Sequence, residues 1–438
     1  MNIVLLSGGS GKRLWPLTND VRSRQFLKLF KREDGSYESM IQRVCRQIKS
    51  VDKDSVITVA TSKEQVSAVQ NQLDYQAKIC VEPVRKNTFP VVALSAAYLR
   101  DVEQVPETEV VVVCPIDPYV ENDYFASLKK LEDIVKSGDT NLALLGITPE
   151  TPSDKYGYII PEEVSEISGV VTFKEKPDVQ TAENYIAQGA LWNGGVFAFQ
   201  LKYVLDKAHE LINFVDYEDL YDQYEKLQSI SFDYAIVEKE SNIKVLRYEG
   251  IWKDLSTWDA LCEEMDDSII GHAIQNDTCQ NVNVINELNV PVMCIGLKDV
   301  VITASAEGIL VSDKKQAQTI EPYVDSLTER VMYAEKSWGD FRVLDVEDNS
   351  LTVKVTLNPG FSMKYHSHDY RDEVWTIISG TGRTIVDGME ELVGPGDVIT
   401  MEAGCKHTVI ADTKMQIIEV QLGKEINVHD KRKYELEG

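Results

Sequence analysis

The first residues able to do chemistry are Ser7-Gly8-Gly9-Ser10-Gly11-Lys12-Arg13. Three glycines in four positions let the backbone turn tightly, with its N–H groups open to a bound anion. Lys12, Arg13, Arg22 and Arg24 add cations nearby. The stretch before them, Met1–Leu6, is an apolar run of the kind that makes a buried strand. A strand ending in a glycine turn with adjacent cations is a phosphate cradle. Two common cradles are excluded. The dinucleotide pattern G-x-G-x-x-G is not formed, and the P-loop fails because Gly11-Lys12 is followed by Arg13 and position 6 is Leu. A glycine turn beside a solvated basic loop is the plain alternative.

Polar residues follow other apolar runs in the same way. Glu82-Pro83-Val84-Arg85-Lys86-Asn87-Thr88-Phe89-Pro90 comes after a strand-like segment; alone, it reads equally as a Pro-bounded turn capped by Asn87 or Thr88. Val110–Cys114 carries Pro115 and Asp117 to its tip, where an Asp capping the next helix is the alternative. Tyr156-Gly157-Tyr158-Ile159, Phe173-Lys174-Glu175-Lys176-Pro177, Trp192-Asn193-Gly194-Gly195 and Trp252-Lys253-Asp254 complete the series. A surface ion pair is the alternative for Glu175-Lys176.

In order, these segments closely resemble the sugar-1-phosphate nucleotidyltransferases, and within them the mannose-1-phosphate guanylyltransferases. The opening loop matches G-G-x-G-x-R-L-x-P-L, and Arg24 stands where P-K-Q-F-L has Lys. Residues 82–90 are similar to E-P-x-x-R-N-T-A-P, with Lys86 for Arg and Phe89 for Ala. Phe89 is expected to add bulk near the base. The resemblance implies that Ser7, Gly8, Gly9, Gly11, Lys12, Glu82, Asn87, Thr88 and Pro115 bind the nucleotide. Asp117, matching P-A-D-H, and Asp254, matching W-x-D-x-G-S-W, would hold Mg²⁺, which prefers one or two carboxylates plus phosphate oxygens. Tyr156, Gly157, Glu175, Asn193 and Gly194 fall on the sugar motifs, with Glu175 on hydroxyls and Lys176 on the sugar phosphate. Ser231–Lys239 matches S-I-D-Y-A-V-M-E-K, expected to be structural.

The implied reaction joins a sugar 1-phosphate to a nucleoside triphosphate and releases pyrophosphate. Positioning and charge neutralisation carry such a transfer. Arg13, Arg24, Lys176, Asp117 and Asp254 form the implied catalytic set, Arg13 against the leaving pyrophosphate. GDP-mannose from GTP and mannose 1-phosphate is the leading product. Another base (CTP or UTP) or another sugar stays open, as does a degenerate sugar-phosphate or nucleotide sensor.

The elements that must position these residues follow an α/β rhythm. Val56–Thr61, Ile79–Val81, Val110–Cys114 and Asn141–Leu145 read as strands, and Ser62–Leu73 and Val91–Glu103 as helices. A mostly parallel, Rossmann-like (GT-A-like) sheet is expected over residues 1–262, with ligands at strand carboxyl ends. Residues 263–330 carry short strands and brief turns, a β-rich connector similar to a partial β-helix.

A second module is expected over 331–438. Gly360-x5-His366-Ser367-His368-x4-Glu373-x6-Gly380 is identified as the first cupin motif, and Gly396 to His407 as the second, with Glu402 in the usual Pro place. On the strands of a small β-barrel, His366, His368, Glu373 and His407 would hold a divalent transition metal: Zn²⁺, Fe²⁺, Mn²⁺ or Ni²⁺. A structural histidine cluster is the alternative. The module also resembles the mannose-6-phosphate isomerase half of bifunctional guanylyltransferase–isomerases, through Trp338-Gly339, Arg371, Glu373-Val374-Trp375 and Ile418–Gly423. His366 replaces the Gln ligand of that half and Val374 the His of its E-H-W, so isomerase activity, action on another sugar and a structural or regulatory role all stay open.

Length and composition agree. The chain has 438 residues, enough for two or three domains. A net charge of −26 argues against nucleic acid or an anionic membrane as partner. No apolar run is long enough for a membrane span, and seven cysteines without a C-x-x-C pair suit a reduced, cytoplasmic protein. A homo-oligomer, taken as a dimer, is expected.

Overall fold

Four consecutive valines, Val110–Val113, are stiff at χ1 and suit a strand buried on both faces; each is at most 1% exposed. They belong to a computed structural model that describes every residue except 10, 75, 328, 329, 425, 428, 429 and 436–438. The chain divides into two bodies. One holds Met1–Gly9 and Gln25–Asp266, the other Ser10–Arg24 and Asp267–Gly438.

The first body runs β1 (Asn2–Ser7), β2 (Lys28–Lys31), β3 (Tyr37–Ser39), α1 (Met40–Val51), β4 (Val56–Ser62), α2 (Val66–Gln72), β5 (Lys78–Glu82), α3 (Thr88–Asp101), β6 (Val110–Pro115), β7 (Pro118–Val120), α4 (Asn122–Lys136) and β8 (Leu142–Ile147). It continues with β9 (Tyr158–Pro161), β10 (Ile167–Lys174), α5 (Val179–Ala187), β11 (Leu191–Gln200), α6 (Leu201–Leu211), α7 (Tyr217–Asp222), α8 (Phe232–Ala235), β12 (Ile243–Tyr248), β13 (Trp252–Asp254) and α9 (Trp258–Glu263). Nine strands form one sheet in the order β5-β4-β1-β6-β11-β8-β12-β10-β9.

The expected mostly parallel sheet needs correcting. β5, β4, β1 and β6 run parallel, as do β8 and β12. β11 lies antiparallel between β6 and β8, and β9–β10 is antiparallel. The link from β9 to β10 is too short for a parallel crossover, so that pair can only form a hairpin.

α3 begins at Thr88, three residues before the sequence reading, because Asn87 caps it and Pro90 is tolerated in a first turn. Its residues are apolar all round, and it is buried in the core with Val4, Val111, Leu201, Leu205 and Phe232. Phe89 is 3% exposed within that core. The expectation that it adds bulk beside a base is overturned: an aromatic ring in the first helical turn gains more from the core than from the loop surface.

In the second body, Ile269–Gly271, Asn283–Asn286 and Val300–Ser305 pair in parallel around Val282, Val284, Cys294 and Ile302, and Gly308–Asp313 returns antiparallel. The barrel follows as two sheets of six and five strands. Leu351, Val353, Val355 and Leu357 alternate inward, meeting Trp375, Ile377, Met415 and Ile417. Among the described residues no helix is long and apolar enough to cross a membrane.

Candidate active site and metal centre

Register decides which carboxylates meet. β1 and β6 are parallel neighbours, with Leu6 opposite Pro115 and the Ile116 N–H 3.3 Å from the Leu6 carbonyl. Ser7, Gly8 and Gly9 therefore leave the sheet at the edge where Asp117 leaves β6. β7 pairs with β13, and in that ladder Asp254 lies opposite Pro118, the residue after Asp117. Residues 137 positions apart thus share one sheet corner with the glycine turn. The Ser256 amide and hydroxyl each donate to Asp254 at 3.0 Å, orienting its carboxylate. Gly9 has φ of 134°, a conformation that L side chains rarely adopt. Gln25 donates to the Ser7 hydroxyl at 2.9 Å.

The sugar-side motifs converge beside it. A Cβ on Gly157 would stand 2.5 Å from Glu175 Oε2 and 2.9 Å from the Phe173 ring, so only Gly fits against that carboxylate. Lys176, at φ 43°, turns its ammonium to within 3.0 Å of Glu175. Asn193 N donates to the Gly157 carbonyl at 2.8 Å, and Gly195 N donates to Asn193 Oδ1 at 3.2 Å. Gly194 sits where a Cβ would meet Ile147 and the Leu145 carbonyl at 3.2 Å, and Gly195 lies against Pro115. Tyr156 packs on Trp192 and Trp252 with ring centroids 4.8 and 5.4 Å away. Burial, then the Asp254 charge, pushes the Tyr156 hydroxyl up to about 12, so it stays a neutral donor.

The nucleotide-motif loop is used differently from the sequence reading. Glu82 is 8% exposed and accepts from the Tyr224 hydroxyl at 2.7 Å and from Lys86 N at 2.8 Å. Burial raises its pKa. Lys86 Nζ donates to the Glu225 and Leu227 carbonyls, both at 2.9 Å. Asn87 Oδ1 accepts from Thr88 N, and the Thr88 hydroxyl from Phe232 N at 2.8 Å. These bonds brace the loop on the segment before α8. Sequence reasoning missed Asp233 on that helix: its Oδ1 accepts from Asn193 Nδ2 at 2.7 Å. Its only signal was an acidic residue in a motif assigned to structure.

The basic residues after Gly9 belong to the second body, with Arg24 its last residue before the chain returns to the first. Lys12 Nζ is 2.6 Å from Asp325 Oδ1, and Arg13 Nε is 3.0 Å from Glu321 Oε1. Arg22 forms a two-pronged pair with Glu287, both contacts 2.8 Å. Lys12 and Arg13 thus already hold carboxylates, the chemical class of charge a phosphate would bring.

The barrel builds a second centre. His366 and His407 are paired residues on neighbouring strands, and the side-chain nitrogens of His366, His368 and His407 lie within 4.8 Å of one another. All three are 2% exposed. Each Nδ1 faces a backbone carbonyl: Lys364 at 2.6 Å, Asp430, and Cys405 at 3.0 Å. An Nδ1 that donates leaves the Nε2 lone pair for a metal, and at His368 that nitrogen lies 3.0 Å from Arg371 Nη2, which a metal would have to displace. Burial pushes His366 down to about 2 and His368 down to about 4, keeping both neutral. His407 Nε2 is buried without a hydrogen bond among the described residues, an orphaned acceptor that a metal would satisfy. Glu373 lies 3.1 Å from His368 Nε2 and 3.3 Å from His407 Nε2. Arg371 Nε and Trp375 Nε1 donate to it at 2.9 and 3.2 Å. Burial opposes its charge, but the His407 contact and the Arg371 guanidinium outweigh that and hold its pKa low.

Comparison with known proteins gives the following. The nucleotidyl transferase family model matches residues 2–269, and the cupin domain model matches residues 353–420. The chain is 27% identical to a putative mannose-1-phosphate guanylyltransferase of Vibrio cholerae, across 99% of each chain. It is 27% identical to a mannose-1-phosphate guanylyltransferase of Escherichia coli, across 98% of this chain and 96% of that one. A crystal structure named as a mannose-1-phosphate geranyltransferase from Thermus thermophilus superposes with a TM-score of 0.61 at 25% identity. It covers 74% of this chain and 98% of its own.

Proposed function

We propose a specific reaction from the premise that this chain belongs to the nucleotidyl transferase family, whose model spans more than half of it. It is a nucleotidyltransferase with a fused cupin domain. Its substrates are then GTP and mannose 1-phosphate, and its products GDP-mannose and pyrophosphate. The observation that carries this reading is the pairing of β7 with β13, which brings Asp254 beside Asp117 at the mouth of the glycine turn. The near full-length similarity to guanylyltransferases supports the choice of base and sugar.

An oxygen of the sugar phosphate forms a bond to the α-phosphorus, and the α–β bridging P–O bond breaks, its electron pair leaving with pyrophosphate. Two carboxylates at a strand tip suit a hard cation, so Asp117 and Asp254 would hold Mg²⁺. When bound, Mg²⁺ neutralises phosphate charge during the transfer. Lys176 gives the attacking phosphate a compact cation, and Glu175 accepts from sugar hydroxyls. Backbone N–H groups of Gly8 and Gly9 would serve the phosphates as anion donors. The test is direct: incubate the protein with Mg²⁺, each of four NTPs and a panel of sugar 1-phosphates, and measure pyrophosphate. Release is expected with GTP and mannose 1-phosphate. Release only with another pair would move the substrate assignment, and none with any pair would end the reading.

For the barrel we infer a divalent transition metal held by His366, His368 and His407, with Glu373 as the adjoining carboxylate. The orphaned His407 Nε2 favours this over a structural cluster. Isomerisation of mannose 6-phosphate is the accompanying reading, tested by assaying that substrate alone.

A further inference from the structure

We propose that Asp233 is a sugar-reading residue: with Glu175 it forms a pair of carboxylate acceptors for neighbouring hydroxyls of the sugar 1-phosphate, while holding the Asn193 amide in place. This rests on the nucleotidyltransferase reading above.

Asp233 is not needed to build its own helix. The turn α8 is capped by Ser231, whose Oγ accepts from Tyr234 N at 3.2 Å. Phe232 N donates to Thr88 Oγ1, and Phe89 N to the Ile230 carbonyl at 3.1 Å. The fully buried Phe232 ring packs on Phe197 and Phe199, with centroids 4.5 and 5.9 Å away. With the turn held on both ends, the Asp233 carboxylate also reaches beyond it, to Asn193.

That bond completes a wall. Asn193 Nδ2 donates to Asp233, its Oδ1 accepts from Gly195 N, and its own N–H donates to the Gly157 carbonyl. Gly157 in turn lies against Glu175 Oε2, and a Cβ added to it would stand 3.4 Å from the Asn193 Cβ. Glu175 is 13% exposed. Burial, then the Glu175 charge, pushes the Asp233 carboxyl up to about 6. Glu175 and Asp233 are joined through Gly157 and Asn193, with the Lys176 ammonium 3.0 Å from Glu175, and each carboxylate keeps acceptor capacity beyond those partners. Adjacent hydroxyls of a hexose supply two donors without adding charge. A sugar lacking one of them leaves a carboxylate unpaired, which is how polar sites gain selectivity.

The experiment uses the full chain with Mg²⁺, GTP, mannose 1-phosphate and its 2-, 3- and 4-deoxy analogues. Asp233→Asn is isosteric and keeps one acceptor. It is expected to raise the KM for mannose 1-phosphate about tenfold, leave the KM for GTP unchanged, and lose almost nothing further on one deoxy analogue. Equal losses on parent and every analogue, or matched rises in both KM values, would overturn the proposal. Thermal melting checks the fold; if Asp233→Asn melts early, Asp233→Ser takes its place on the same panel. A wild type that releases no pyrophosphate with any pair refutes the function itself. An active wild type with additive losses refutes only this inference.

Discussion

The two centres solve opposite electrostatic problems. The transferase corner gathers anions: Asp117 and Asp254 at one strand edge, Glu175 and Asp233 along the sugar wall. Lys176 pairs with Glu175, Asn193 donates to Asp233, and Ser256 donates to Asp254. The barrel instead presents imidazoles, 2% exposed, whose outer nitrogens are already committed to carbonyls. The contrast is between carboxylates gathered by strand register and imidazoles gathered by burial.

The sharpest way to break this contrast is at the carboxylates. Asp117→Asn and Asp254→Asn are each expected to cut pyrophosphate release by about a thousandfold, the scale of losing a charge stabiliser of a transition state. The melting temperature should stay within a few degrees, since Asn is isosteric and keeps an acceptor oxygen for partners such as Ser256. A collapse of the fold in either variant would mean that the pair is structural.

Next comes the barrel. His366→Ala and His407→Ala are expected to lower bound metal, measured by elemental analysis, by more than about tenfold while transferase turnover stays within about twofold. Unchanged metal content would remove the centre. Gly157→Ala tests the sugar wall: with Glu175 Oε2 at 2.5 Å from the new methyl, the KM for sugar 1-phosphate should rise about tenfold and metal content should not change.

A smaller effect concerns pH. Glu38 is fully buried and bonded to Arg46 and Arg32 at 2.5 and 3.0 Å. Burial opposes its charge, but the two guanidinium groups prevail and hold its pKa below the ordinary 4.5. A lowered folded pKa stabilises above the unfolded value, and that contribution fades as pH falls through the folded one. Glu38→Gln should therefore cost about 2 kcal/mol at pH 7, with the melting gap narrowing below about 4.5. Least affected should be the pair Arg13–Glu321, half exposed on the Arg side. Glu321→Gln should shift stability by less than about 0.5 kcal/mol.

Much of this was legible in order along the chain. The glycine turn, the valine strand and the two histidine motifs carry spacing that names their chemistry, because each is local: a turn needs glycines, a ligand pair needs adjacent strand positions. Strand positions such as Val56–Ser62 and Val110–Pro115 followed from β-branched runs. Phe89 and Asp233 were not legible. Phe89 lies one residue from a nucleotide motif, and only the direction of the first turn of α3 sends it into the core. Asp233 is assigned by its contact with Asn193, 40 residues away.

By itself, then, the sequence determined which residue types were present at each strand end, and that a nucleotidyl transferase module is followed by a cupin. Only the tertiary structure decided the partners. It put β11 in reverse between β6 and β8, turned Glu82 inward to Tyr224, and set Asp254 across from the tip that carries Asp117. The reason is physical: local spacing controls which groups a segment can offer, whereas strand register and burial control which groups meet, and those are settled by the whole core at once.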